Sequence, residues 1–143
     1  MKYVVVVVVL LVVSCGLNAA DKQYGSVVVS EVTSIYDADT FRVNIKDWPD
    51  IIGERMSIRV LGVDAPEIRG KCKSEKQAAR RAKQFSVAKL RSAKKIELRD
   101  IQRGKYFRIL ANVYLDGQSL AEALIQAEHA RAYNGGTRAG WCD

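Results

Sequence analysis

The spacing of apolar and polar positions changes several times along the chain, and each change marks an element. Residues 24–35 form a β-branched run containing Val27, Val29, Val32 and Ile35, which predicts a first strand. A turn at Asp37-Ala38 leads into residues 40–45. There Phe41, Val43 and Ile45 alternate with Arg42 and Asn44, the period of a half-buried strand. Asp47-Trp48-Pro49-Asp50 is a polar turn cluster, and residues 54–63 predict a third strand. Over residues 74–94 the period lengthens. Ala78, Ala79, Ala82, Phe85, Leu90 and Ala93 share one side of a helical wheel, and Arg80, Lys83 and Arg91 lie outside it, so this is an amphipathic helix with a basic outer face.

Residues 95–100 and 106–115 predict short strands joined through Gln102-Arg103-Gly104, and Asp116-Gly117 is a turn signal. Ser119, with Glu122 three residues later, is a capping box that opens a second helix through Leu120, Leu124 and Ala127. Three strands, a helix, two strands and a helix do not alternate as βαβ units do. The order suits an α+β, mainly β domain: a five-stranded Greek-key barrel of the OB type with two flanking helices.

The first residues stand apart from this pattern. Met1-Lys2 and the apolar run at residues 3–13 have the form of a secretory signal, too short for a membrane span. Two exits are open: cleavage after Ala19 or Ala20, or a lipoprotein box ending before Cys15. The expected division is therefore a leader at residues 1–20 and one domain at residues 21–143, exported to the periplasm or secreted. Membrane attachment is expected only if Cys15 is lipidated. Either exit leaves Cys72 and Cys142 as an even pair in an oxidising compartment, where a disulfide is expected; two buried free thiols are the alternative.

Composition narrows the chemistry. Of 143 residues one is His, His129, which rules out a His-rich zinc site, and the three Cys lack metal-knuckle spacing. The net charge of +7 is unevenly spread: residues 69–108 hold fifteen Lys/Arg and three Asp/Glu, and the remainder is net acidic. Such a segment suits a polyanion, nucleic acid above all, although a merely solvated helix face has the same composition.

Two acidic clusters bracket the third strand, Asp37-Ala38-Asp39-Thr40 and Asp64-Ala65-Pro66-Glu67. A barrel brings strand ends together, so Asp39, Asp64 and Glu67 can converge on one mouth. Hard oxygen donors without a soft one point to Ca²⁺ or Mg²⁺. Arg59 on the third strand and Arg108 after the basic segment add two guanidinium forks. A bound cation, two Arg and a spare carboxylate make up the kit for hydrolysing a phosphodiester. Each piece alone is also ordinary turn or surface chemistry.

Three motifs in order resemble one known family. Arg59-Val60-Leu61-Gly62-Val63-Asp64-Ala65-Pro66-Glu67, with Asp37-Ala38-Asp39-Thr40 before it and Gly104-Lys105-Tyr106-Phe107-Arg108-Ile109-Leu110-Ala111 after it, is similar to the thermonuclease family, the staphylococcal nuclease-like proteins. The resemblance runs from about residue 26 to residue 130. It implies an OB-fold, Ca²⁺-dependent nuclease acting on DNA or RNA, with no partner but its substrate and a monomeric state. It also implies roles. Asp39, Asp64 and the Thr40 carbonyl would ligate Ca²⁺, and Glu67 would hold or activate water. Arg59 and Arg108 would bind the scissile phosphate; Lys105 and Tyr106 would contact a terminal phosphate, and Tyr133 would offer a stacking surface for a base.

Departures from the pattern are Ala65 in place of Thr and Phe107 in place of a small Gly before the second Arg. The C-terminal segment from Arg131 also differs and ends like a shorter bacterial branch of the family. In that arrangement a Cys72–Cys142 disulfide would anchor the tail beside the Glu67 loop, and His129 would be a bystander. The competing readings are a non-cutting OB-fold nucleic-acid-binding module and a secreted Ca²⁺-stabilised protein; the basic segment counts against the latter.

Overall fold

The structure, a computed structural model, describes residues 22–142; the predicted leader and Cys15 lie outside the described residues. Its elements are β1 Val27–Val28, β2 Glu31–Asp37, β3 Thr40–Asn44, α1 Asp50–Gly53, β4 Met56–Val60 and β5 Val63–Asp64, then α2 Lys73–Ser92, β6 Ile96–Arg103, β7 Arg108–Leu115, β8 Gln118–Ser119, α3 Leu120–Gln126 and β9 Arg131–Ala132. The main sheet runs β1-β6-β7-β4-β3-β2, with β8 beside β7, and β5 pairs with β9 in a separate ribbon. All pairings are antiparallel except β4 with β7.

The single first strand expected from the β-branched run is one strand that changes partner. Its first half pairs with β6 and its second with β3, and the change falls at Val29 and Ser30, whose amides donate to Ile96 and Asn44. One strand bonded to both ends of the sheet curls it into the expected OB-type, mainly β architecture. The inner face collects Phe41, Val43, Ile58, Val60, Leu98, Ala111 and Val113, all buried. The predicted third strand breaks at Leu61-Gly62, where Gly62 has φ 81°, so Val63 and Asp64 leave the barrel and pair with β9. The polar cluster at residues 47–50 leads into the short helix α1, which pattern reading missed.

The long helix α2 packs against β2 through a stripe of small buried residues, Ala79, Ala82 and Ser86, with Leu90 at its end. Small side chains let a helix approach a sheet closely. Its exposed face carries Arg80 and Arg91, as the wheel predicted, together with Arg81, whereas Lys83 is half-buried. Helix α3 begins where the capping box put it, with the Ser119 hydroxyl accepting from the Glu122 amide. His129 rests on Phe85, ring centres 5.0 Å apart.

Candidate active site

The two acidic clusters do meet at one end of the barrel, on either side of Arg59. Register explains why: Thr40 pairs with both Asp37 and Arg59 across β2, β3 and β4, so the Asp37–Thr40 turn lies beside the outgoing end of β4. The Asp39 side chain is almost wholly buried. It accepts from Arg59 Nη1 at 2.9 Å, from the Thr40 hydroxyl at 3.0 Å and from the Ala65 amide at 3.2 Å. Arg59 Nη2 lies 3.7 Å from Asp64 Oδ1, so one guanidinium spans both carboxylates. Asp37, also buried, accepts from the Ile68 amide and ties the Glu67 loop to the turn.

Burial governs the electrostatics. Desolvation pushes the Asp39 carboxyl above the ordinary carboxylate value; the Arg59 charge and the Thr40 and Ala65 hydrogen bonds oppose it but do not win. Asp37 is raised in the same way, again chiefly by burial. A cation beside these groups would relieve the cost of keeping them ionised.

The Glu67 loop is shaped from below by Glu75, whose buried carboxylate accepts from the Lys71 amide at 2.9 Å and the Glu67 amide at 3.4 Å. Gly70 makes this approach possible, since a Cβ there would fall 2.3 Å from Glu75 Cδ. Glu67 itself is half exposed, at the rim of a cleft of about 340 Å³ lined also by Asp64, Arg69, Lys71 and Arg138.

The other expected site residues gather less tightly. Arg108 stands opposite Ser57 in the β4–β7 pairing, two positions from Arg59 along the same face. It forms no ion pair among the described residues, and its Nε is buried without a partner. Lys105 and Tyr106 occupy the exposed β6–β7 loop, in which Tyr106 and Phe107 have φ 58° and 53°. Tyr133 is tied down at the rim, its amide to Gly62 and its hydroxyl to Gly136.

Sequence reasoning missed two residues at this site. Arg138 donates to Asp64 Oδ1 and, through Nη1 at 2.9 Å, to Glu67 Oε1; Trp141 Nε1 donates to Asp64 Oδ2 at 3.0 Å. Desolvation works to lower the Arg138 pKa, yet the hydrogen bonds and charges of Asp64 and Glu67 raise it overall. The tail that carries both residues is fastened by a disulfide between Cys72 and Cys142, as expected, with Cα atoms 5.9 Å apart. It lies beside the Glu67 loop.

Two buried carboxylates and a rim carboxylate are donors of the kind a hard divalent cation takes, and the donor set contains no free thiol or imidazole. The oxygens of Asp39, Asp64 and Glu67 do not all draw within 4.8 Å of one another, because Arg59 and Arg138 lie among them. The cluster that does reach that spacing, Cys72, Glu75 and Cys142, has both its sulfurs in the disulfide.

A curled OB-type barrel with carboxylates and Arg at the mouth and a basic helix alongside defines a class, and the comparison with known families agrees with it. The family model for staphylococcal nuclease homologues matches residues 57–139, more than half of the chain. The chain belongs to this family. The matched span includes Arg59, Asp64, Glu67, Arg108 and Arg138; Asp39 and Thr40 precede it.

Proposed function

We propose that the protein is an exported, Ca²⁺-dependent nuclease that hydrolyses phosphodiester bonds in DNA or RNA. The observation that carries this reading is the pair of buried carboxylates, Asp39 and Asp64, spanned by Arg59 at the mouth of the barrel, with Glu67 on the adjoining loop. In this reading Asp39, Asp64 and the Thr40 carbonyl hold Ca²⁺. The bound cation supplies positive charge next to the phosphate oxygens, where the transition state gathers negative charge.

The chain's own groups do the rest. Glu67 orients a water and takes its proton as the water oxygen bonds to phosphorus. The bond to the leaving sugar oxygen breaks, and that oxygen takes a proton from solvent. Arg59 and Arg108 donate to the non-bridging oxygens; the unpartnered Nε of Arg108 is a donor without an acceptor, suited to one. Lys105 and Tyr106 meet a neighbouring phosphate, and Tyr133 borders the base. The exposed arginines of α2, with the exposed Arg69 and Lys71 beside the cleft, raise the local concentration of a polyanion. The protein acts as a monomer in the periplasm or outside the cell, or on a membrane if Cys15 is lipidated.

The second reading, a module that binds nucleic acid without cutting it, draws on one observation: Arg138 already engages both Asp64 and Glu67. Incubation of residues 21–143 with single- and double-stranded DNA and with RNA, in Ca²⁺ and in chelator, separates the two. Cleavage in Ca²⁺ that Glu67→Gln and Arg108→Ala each reduce by at least a hundredfold is expected for the enzyme, the scale for losing an acid–base or charge-stabilising group. Retarded but intact strands would establish the binding module instead.

A further inference from the structure

The tail from residue 131 to residue 142 does more than close over the barrel. It is fastened to the body where β9 pairs with β5, so that Arg131 faces Asp64 in the register, where the Tyr133 amide donates to the Gly62 carbonyl, and where Cys142 is bonded to Cys72; within the tail, Arg131 lies over the Trp141 ring at 3.8 Å and donates to the Gly140 carbonyl at 2.8 Å. These ties deliver Arg138 and Trp141 to Asp64. Oδ1 of that carboxylate receives the Arg138 guanidinium, and Oδ2 receives the Trp141 indole. Asp64 is 4 % exposed, so it cannot turn to solvent to find another ligand while keeping both donors. Glu67 is held by the same guanidinium.

A divalent cation on Asp64 would face the positive charge of Arg138 at contact distance, and two cations do not share a carboxylate that closely at low cost. Arg138 has somewhere to go. Its side chain is 39 % exposed, and the preceding Gly135-Gly136 pair has open space around it and positive φ, so the guanidinium can swing outward with the disulfide intact. We propose that Arg138 is the resident counter-cation of the Asp64–Glu67 pair, that a divalent cation must displace it, and that the anchored tail thereby sets the cation concentration at which the site loads. The inference rests on the reading of Asp39 and Asp64 as cation ligands.

Calorimetric titration with Ca²⁺ alone, in the absence of nucleic acid, tests it. Arg138→Gln, which keeps a polar though shorter side chain without the charge, should bind Ca²⁺ about tenfold more tightly than the parent, within the usual range for coupled sites. Arg138→Lys should stay near the parent, and Cys72→Ser/Cys142→Ser, which frees the tail without touching Arg138, should shift in the same direction as Arg138→Gln. A second readout follows from there being only two tryptophans in the chain. In a Trp48→Phe background, Ca²⁺ should change the emission of Trp141 as its partner Asp64 is taken up. Equal or weaker Ca²⁺ affinity in Arg138→Gln would overturn the inference and leave the nuclease reading intact. Absence of any Ca²⁺ binding, in parent and variants alike, would overturn the cation-site reading and this inference with it.

Discussion

The hydroxyl of Ser86 in α2 donates a 2.7 Å hydrogen bond to the carbonyl of Ala38, and both residues are sealed from solvent. Ala38 lies between the two buried carboxylates Asp37 and Asp39, so this bond fixes the acidic turn to the helix behind it. Ser86→Ala leaves the buried carbonyl without a donor, a loss of about 1–3 kcal/mol. Urea unfolding should show a lower midpoint with an unchanged slope. Hydrogen exchange at the Asp39 and Thr40 amides should quicken, because the turn loses its anchor.

Ser86 also marks a limit of sequence reading. The wheel placed Ala79, Ala82 and Leu90 on the buried side of α2 correctly, because apolar spacing carries that information directly. A serine among them reads as polar, and nothing local says that its partner stands forty-eight residues away. The site divides in the same way. That the Asp39 turn and the Asp64–Glu67 loop come together was legible because they lie at or just past strand ends that the topology brings to one mouth. Arg138 and Trp141 were not, since a loop without periodicity carries no signal of where it folds back. The Cys72–Cys142 pair was the one cue that the tail returns to the Glu67 loop, and it gave the location of the tail without saying which of its side chains would reach the carboxylates.

Arg59 is the charge partner that Asp39 depends on. Replacing it with Met leaves a nearly buried carboxylate without its cation, a change that costs about 3–5 kcal/mol when the charge is retained. The deficit should depend on pH in a defined direction. Burial already raises the Asp39 pKa above 3.8, and loss of Arg59 removes the main influence lowering it. For a carboxyl raised in the folded state, the stabilising contribution is complete below the unfolded value and is lost as pH rises through the folded one. Arg59→Met measured in chelator should therefore lie closest to the parent near pH 4 and fall furthest behind at neutral pH. Added Ca²⁺ should raise the melting temperature of the variant more than that of the parent. An equal deficit at all pH values would show that Arg59 acts through packing alone.

Phe107 stands in backbone geometry that suits glycine. With Tyr106 it makes two consecutive left-handed residues in the β6–β7 loop; at the β7–β8 hairpin the same geometry falls on Asp116 and Gly117. A bulky residue in that region costs about 1–2 kcal/mol. Phe107 recovers little of this by burial, being 71 % exposed. Phe107→Gly should stabilise the protein by about 0.5–1 kcal/mol in chemical denaturation, the relief of strain less the greater freedom glycine gives the unfolded chain. A loss of stability would mean that the ring's place in the wall of the apolar pocket it lines with Trp48, Ile52 and Met56 outweighs the strain.

The disulfide between Cys72 and Cys142 closes a loop with a sequence separation of 70, for which chain entropy gives about 4 kcal/mol. Cys72 is also the N-cap of α2, its sulfur accepting from the Glu75 amide. Serine at that position keeps a cap, so Cys72→Ser/Cys142→Ser isolates the cross-link from the helix start. The double variant should lose about 2–4 kcal/mol in urea, and the unreduced parent should show no reactive thiol from either residue. Freed of its covalent anchor, the tail keeps β9 and the non-covalent contacts of Tyr133, Arg138 and Trp141 with the body. Trypsin should then cut after Arg138 sooner in the variant than in the parent, and release the residues beyond it. In the parent the same cut leaves the fragment attached through Cys142 until a thiol reductant is added. Release without reductant would show that the two cysteines are not joined.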